Sequence, residues 1–375
     1  MIYNDFHGLK ISALGLGCMR FPTLEDNKID MQKTKEIIDY AISQGLNYFD
    51  TAWGYHYGQS ESVLGELLSA YPRDSYFLAS KFPGYDLANF GKQAEIFEKQ
   101  LEKCKTDHFD FYLFHSLTEG NINEYLDDES FGVYSFLKKQ KELGKIKHLG
   151  LSCHSTLDTL KKFIASYGDV IEFCQIQLNW LDWEYQDAKT QYELCKKYGV
   201  QVIVMEPVRG GSLFNLAPVF AKELTDASPD RTTAEWAFRY VQSIPGVTLT
   251  LSGMSNMDQL KENIGIFSEK KPLTKDEIAL LYALGRKMTA KNPLPCTGCK
   301  YCTEYCPKEL DIPRLIELYN NYKFTTGGYI APKETALMTE DEKPSACIGC
   351  RACEGVCPQG IKISEMMADF TSRLK

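Results

Sequence analysis

Over the first 270 or so residues, short apolar runs rich in β-branched and aromatic residues alternate with stretches in which apolar positions recur at helical spacing. The runs SALGLGCM, NYFDTA, YFLASKF, FDFYLFHS, IKHLGLS, EFCQIQLN, QVIVMEP and VTLTLSG read as strands. The intervening segments, from KTKEIIDYAISQG to DQLKENIGIF, read as amphipathic helices. Eight strand-then-helix units over roughly 250 residues predict an α/β fold, a (β/α)8 or TIM barrel. A doubly wound open sheet is the competing architecture, but no G-x-G-x-x-G follows the first strand. Gly45, Gly144, Gly168 and Gly199 stand just before strands, where a left-handed helix end is expected.

Beyond the eighth unit, KPLTKDEIALLYALGRKM predicts a further helix, opened by Thr274 with Glu277 three residues on as a capping box. KNPLP then breaks the pattern. The boundaries read as a barrel over 1–272, a connecting helix and linker over 273–292, and a small domain over 293–375. In that last domain DIPRLIELYNNYKF and IKISEMMADFTSRL predict helices, and TTGGYIAPKETALMTEDEKP between them reads as a loop.

Each of these helices follows a cysteine run, CTGCKYCTEYCP or CIGCRACEGVCP, with the spacing C-x-x-C-x-x-C-x-x-x-C-P. The spacing resembles that of bacterial two-cluster ferredoxins, in which the fourth cysteine of each run ligates the other run's cluster. Two [4Fe-4S] clusters are expected, one on Cys296, Cys299, Cys302 and Cys357, the other on Cys347, Cys350, Cys353 and Cys306. Helices after both runs favour a mainly α-helical ferredoxin-like module. Zinc usually pairs C-x-x-C knuckles across a long gap, and the intervals here are too short for a useful disulfide framework.

Composition narrows the partners. The chain of 375 residues has 42 basic and 50 acidic residues; from Lys291 onward they balance at 11 each, so the net charge of −8 lies in the preceding part. Neither nucleic acid nor an anionic membrane is an expected partner, since both demand a basic face. No apolar run approaches membrane-spanning length and MIYNDFHGLKIS has no signal-peptide core, so a cytoplasmic location is expected.

Chemistry in such a barrel gathers at the C-terminal ends of the strands. Asp50 ends the second strand, Lys81 the third and His115 the fourth, with Tyr55 in the loop after Asp50. The stretch FDTAWGYHYGQSE resembles the active-site signature of the aldo-keto reductases, and Lys81 in LASK and His115 in FYLFHS match the other two members of that family's catalytic tetrad. GKIKHLGLS and QIQLN are similar to its fifth and sixth strands. This resemblance covers residues 1 to about 270, and with the two-cluster ferredoxin-type tail the architecture is similar to that of a subgroup known among anaerobic bacteria and archaea.

The resemblance implies a carbonyl-reducing oxidoreductase with Tyr55 as proton donor, Lys81 lowering the phenol pKa, Asp50 holding the ammonium and His115 donating to the carbonyl oxygen. Tyr57 competes with Tyr55 but lies two residues out of register. Ser152, Gln175, Arg209 and Asn263 are the residues compatible with a dinucleotide. Glu206 stands where the family usually stacks an aromatic ring on the nicotinamide, and Gly253 and Gln259 stand where NADPH-preferring members carry cations. NADH is therefore expected over NADPH if either binds.

Nicotinamides transfer hydride whereas clusters pass single electrons. A flavin normally mediates between them, and no flavin fingerprint is evident. Three functions compete. One is a reductase of a carbonyl or conjugated ketone whose clusters exchange electrons with ferredoxin or another redox protein. The second is an electron-transfer or docking subunit with an idle barrel site. The third is a conventional NAD(P)H reductase with structural clusters.

Overall fold

The computed structural model describes all residues except 27, 119, 291–293, 295, 297–300, 325, 326, 329, 358 and 375. An antiparallel hairpin, β1 (Tyr3–Phe6) and β2 (Leu9–Ser12), precedes the eight parallel strands of a closed barrel. These are β3 (Leu14–Gly17), β4 (Tyr48–Asp50), β5 (Phe77–Phe82), β6 (Phe109–Leu117), β7 (Ile146–Cys153), β8 (Phe173–Gln177), β9 (Gln201–Met205) and β10 (Val247–Ser252). They pair in chain order, and β10 closes on β3 through Leu251 opposite Gly15. All eight coincide with the apolar runs read from the sequence.

The barrel interior holds Tyr48, Ala79, Phe111, Phe173, Ile203 and Leu249, all fully buried. Phe6 of the hairpin joins them, with its ring edge-on to Phe111 at 5.1 Å. Bulky side chains on some strands require none on others. A Cβ at Gly150 would lie 2.6 Å from the Phe173 ring. The hairpin is a finding beyond the sequence reading; its turn residues His7 and Gly8 both have positive φ, 48° and 89°, as a two-residue type I′ turn needs.

The helices end as expected at Gly45, Gly144 and Gly199, which take φ of 83°, 75° and 70°. Gly168 departs from the expectation. It stays right-handed at φ −63°, where a Cβ would approach the Ile164 carbonyl oxygen to 2.5 Å, so close packing rather than chain reversal explains the glycine. The capping box is present: Thr274 N donates to Glu277 Oε2 at 2.7 Å and Glu277 N to Thr274 Oγ1 at 3.3 Å.

The chain divides into two compact units, 1–207 with 238–273, and 208–237 with 274–375. The second unit contains no strand among its described residues. Its C-terminal part is built as a near-repeat. Helices Tyr301–Glu304 and Ile312–Phe324 recur as Ala352–Gly355 and Ile363–Arg373, displaced by the 51 residues that separate Cys296 from Cys347. The buried core follows the same displacement: Leu310, Ile312, Leu315, Ile316 and Tyr319 answer to Ile361, Ile363, Met366, Met367 and Phe370. Between the halves, 330–337 forms a helix where a loop was expected. Pro332 is tolerated because it falls in the first turn, where its missing N–H costs no intrahelical bond.

Candidate active site and cluster ligands

Asp50 is the last residue of β4 and pairs in register with Ala79, two residues before Lys81 on β5. Two adjacent strands thus deliver a carboxylate and an ammonium to the same end of the barrel. Lys81 Nζ lies 2.6 Å from Asp50 Oδ1, 2.7 Å from the Thr51 carbonyl oxygen and 3.4 Å from Tyr55 Oη. An ammonium has three protons, and each has an acceptor here. The second Asp50 oxygen accepts from Gln175 Nε2 of β8 at 2.7 Å. Burial disfavours the Lys81 charge, but Asp50 and Tyr55 outweigh it and hold the ammonium above the usual lysine range.

Tyr55 is placed by a compact loop. Its amide donates to the Ala52 carbonyl at 3.1 Å, and its own carbonyl accepts from Gly58 and Ser60 at 3.1 and 3.2 Å. His56, Tyr57 and Gly58 then run left-handed, with φ of 51°, 55° and 83°. The reversal turns Tyr57 outward to 89% exposure, while His56 Nε2 accepts from the Phe21 amide at 2.9 Å. Tyr55 rather than Tyr57 therefore faces Lys81. Desolvation holds the Tyr55 phenol above its ordinary pKa; Lys81 pulls it down and Asp50 pushes it back up. The expected net lowering does not occur, because burial outweighs the ammonium.

His115 reaches the site through an irregularity in β6. The register with β7 shifts between Phe114 and Leu117, Ser116 has a φ of 57°, and its amide donates to Ser152 Oγ at 2.8 Å. Such a bulge re-aims a side chain. The His115 ring stands edge-on to Tyr55 at 6.0 Å and to Tyr85 at 5.3 Å between centroids. Tyr85 closes over Gly54, where any Cβ would meet its hydroxyl at 2.3 Å.

The four tetrad residues are thus gathered at one barrel end. Of the residues expected to hold a dinucleotide, Ser152 and Gln175 are tied to Ser116 and Asp50 as described, and Asn263 Nδ2 donates to Ser252 Oγ at 3.2 Å. Arg209 belongs to the second compact unit, fully buried, with both terminal nitrogens 2.8 Å from the Asn321 side-chain oxygen.

A polar layer behind the site was not foreseen. Glu61 is fully buried and accepts from Ser80 Oγ at 2.7 Å and Gln100 Nε2 at 2.6 Å, with Lys103 Nζ at 3.3 Å. Gln100 also donates to the Lys81 carbonyl at 3.0 Å, and Lys103 lies 4.1 Å from the Trp53 ring centroid. The layer joins the Lys81 strand to the Tyr55 loop. Its one sequence signal is Gln100, a polar residue on the apolar face formed by Ile96, Phe97 and Leu101.

In the second unit, Cys306, Cys347, Cys350 and Cys353 line a single cavity, which matches one of the two expected ligand sets. Leu310, Ile312, Ile363 and Met367 complete its apolar wall. Four thiols around an apolar cavity suit an iron-sulfur cubane, whereas no three His, Cys, Asp or Glu side chains among the described residues could hold a single metal ion. Of the other set, Cys302 is part of the unit's core and Cys296 and Cys357 pack against it, while Cys299 lies outside the described residues. No helix among the described residues is long and apolar enough to cross a membrane.

Comparison with known proteins agrees with both halves. Residues 13–286 match the aldo/keto reductase family, and residues 295–361 match a 4Fe-4S dicluster domain. The uncharacterized oxidoreductase YqkF of Bacillus subtilis (strain 168) is 26% identical over 309 residues, 73% of this chain and 92% of its own. A probable aldo-keto reductase 1 of Glycine max is 25% identical, over 70% of this chain and 83% of its own. Among solved structures, the holo form of aldo-keto reductase AKR11C1 from Bacillus halodurans superposes with a TM-score of 0.62 at 26% identity, covering 76% of this chain and 95% of its own. An aldo-keto reductase from Klebsiella pneumoniae in complex with NADPH shares the fold, with a TM-score of 0.62 at 20% identity over 76% of this chain and 95% of its own. The chain belongs to the aldo/keto reductase family, as an oxidoreductase whose (β/α)8 barrel is followed by a 4Fe-4S dicluster domain.

Proposed function

We propose that the barrel reduces a carbonyl or conjugated ketone at Tyr55 and His115, and that two [4Fe-4S] clusters in 293–375 pass electrons to or from a redox partner. The threefold bonding of Lys81 to Asp50, Thr51 and Tyr55 carries the reading. It fixes a cation against a phenol that stays protonated at neutral pH, and a phenol held in that way can give its proton to an alkoxide as it forms. The Lys81 charge stabilises the tyrosinate left behind. His115 donates to the carbonyl oxygen, offsetting the charge that develops there.

The functional modules follow the divisions 1–272, 273–292 and 293–375. Either source of reducing equivalents serves the same proton donor. A nicotinamide, when bound, supplies hydride; Ser152, Gln175 and Asn263 are the barrel residues assigned to it, with Arg209 as a further candidate. NADH is favoured, since Gly253 and Gln259 offer no cation to a 2′-phosphate. That preference stands although the Klebsiella relative was solved with NADPH. The clusters, when bound, supply or accept single electrons, with Cys306, Cys347, Cys350 and Cys353 holding one and Cys296, Cys299, Cys302 and Cys357 the other.

The test is anaerobic preparation, an iron and sulfide assay, and a visible spectrum with and without each nucleotide. About eight iron and eight sulfide per chain are expected from the two cubanes. Bleaching of the cluster band by NADH establishes both cofactor and connection. Stoichiometric zinc with no visible absorption rejects the cluster assignment.

A further inference from the structure

The cavity ringed by Cys306, Cys347, Cys350 and Cys353 opens toward solvent on one side. Cys350 is exposed, and so are two large apolar side chains that line the same cavity, Tyr305 at 54% and Ile348 at 61%. Exposed apolar groups of this size next to a redox site mark a contact surface more readily than a bare face. Charge sharpens the point. Lys308 and Arg351 also line the cavity and are exposed, and no carboxylate lines it. Neither cation makes an ion pair among the described residues. Glu304 and Glu309 are neighbours in sequence but lie off the lining, and Glu354, tied to Ser364, whose Oγ donates to it at 2.5 Å, feels the Arg351 charge without forming an ion pair with it. In a chain of net charge −8, an apolar pair flanked by two exposed cations sets this rim apart, and it does so above a thiolate-ligated cluster whose own charge is negative.

We infer that Tyr305, Ile348, Lys308 and Arg351 form the docking face for a small acidic one-electron carrier protein, and that electrons enter or leave through the cluster held by Cys306, Cys347, Cys350 and Cys353. The inference rests on the reading that the clusters pass electrons, and it adds which site is the port and what sign its partner carries. Transfer between proteins falls off steeply with distance, so a cluster whose ligand reaches solvent is the place for exchange. The apolar pair supplies desolvated contact, and the cations supply steering, which raises association rates by about 10–10³-fold and is screened by salt. An acidic carrier meets the cations with its own carboxylates and places its redox centre over Cys350. The step balances simply: one electron leaves the reduced carrier and one cluster gains it, with no bond made or broken.

The test uses the full chain loaded with both clusters and, as probe, an acidic flavodoxin in its hydroquinone form, whose absorption is distinct from that of a cluster. The second-order rate of cluster reduction is followed by stopped flow, beside reduction by photoreduced deazaflavin, a small donor that needs no docking face. For Lys308→Glu with Arg351→Glu, the flavodoxin rate should drop by roughly tenfold or more and lose its decline with salt. Iron content and the deazaflavin rate should hold. Reversing two exposed lysines elsewhere, Lys161 and Lys189, should change the flavodoxin rate far less. A double variant as fast as wild type with flavodoxin overturns the docking face while leaving the electron-passing reading intact. Equal loss with both donors overturns it too, by assigning the cations to cluster assembly or potential. Wild-type clusters that neither donor can reduce overturn the electron-passing reading itself.

Discussion

Lys81 and Asp50 meet at 2.6 Å inside the barrel wall with only 1% and 4% of their side chains exposed. A buried ion pair of this kind is weak evidence of net stabilisation, since hydrophobic replacements of both partners are often tolerated, but breaking one partner is costly. Asp50→Asn leaves Lys81 facing only neutral oxygens and should destabilise the fold by about 3–5 kcal/mol, read from the denaturant midpoint. The sign of the pH dependence follows from the raised Lys81 pKa. Its stabilising contribution is complete below the ordinary lysine value of 10.5 and is lost only as pH rises through the higher folded value. Wild-type stability should therefore show no Lys81-linked loss between neutral pH and about 10, whereas Asp50→Asn should weaken the alkaline dependence.

Tyr55 and Tyr57 differ by two positions and by which side of the loop they face. Tyr55→Phe should lower turnover by roughly 10²–10⁴-fold with fold and iron content intact, and Tyr57→Phe should leave turnover near wild type. The proton donor must be protonated, so the rate should fall as pH rises through the Tyr55 pKa. Lys81→Met removes the charge that pulls this pKa down, and the alkaline limb should move upward. An unshifted limb would detach Lys81 from the phenol.

At the opposite ends of the strands, Glu172 accepts from His148 Nδ1 at 2.7 Å and pairs with Lys141. Burial raises its pKa, but these partners overcome that and bring it down from 4.5 to about 2. A lowered carboxyl pKa stabilises above the unfolded value and loses that contribution as pH falls toward the folded one. The melting temperature should therefore drop between pH 4.5 and about 2, by the equivalent of about 3 kcal/mol at most. Glu172→Gln should abolish that part of the dependence, and an unchanged acid profile would show the pair to be solvated.

The barrel was legible because its strands are continuous apolar runs punctuated by glycine, as strands buried on both faces must be. The hairpin was not, because MIYNDFHGLKIS mixes polar and apolar residues and only the His7–Gly8 turn betrays it. Pro218–Ala227, a helix that opens on proline, also escaped notice, and Ile330–Leu337 was hidden by the glycines and threonines before it. Asp50, Lys81 and His115 were legible as charged or polar ends of apolar strands. Glu61 had no comparable signal, since its role exists only once Ser80 on β5 and Gln100 on helix Gln93–Lys103 converge on it. Tyr55 was preferred to Tyr57 on register alone, and the left-handed turn at His56 and Tyr57 supplies a geometric reason that the sequence did not show. The phenol's raised pKa could not be read from residue types, because it depends on how far burial outweighs a neighbouring charge.

Direct delivery, in which electrons held by the two clusters are spent on a carbonyl at Tyr55, takes one electron from each cluster and two protons, one from Tyr55 and one from solvent, for each carbonyl reduced. Its most direct test is a single turnover of anaerobic protein loaded with both clusters, photoreduced with deazaflavin and mixed, without nucleotide, with a panel of aldehydes and conjugated ketones. Recovery of the oxidised cluster band is followed in wild type and in Tyr55→Phe. At least one carbonyl should reoxidise the wild-type clusters with formation of its reduced product, and Tyr55→Phe should slow this by roughly 10²-fold or more. Clusters that stay reduced with every carbonyl, or that reoxidise equally fast in both proteins, would contradict it.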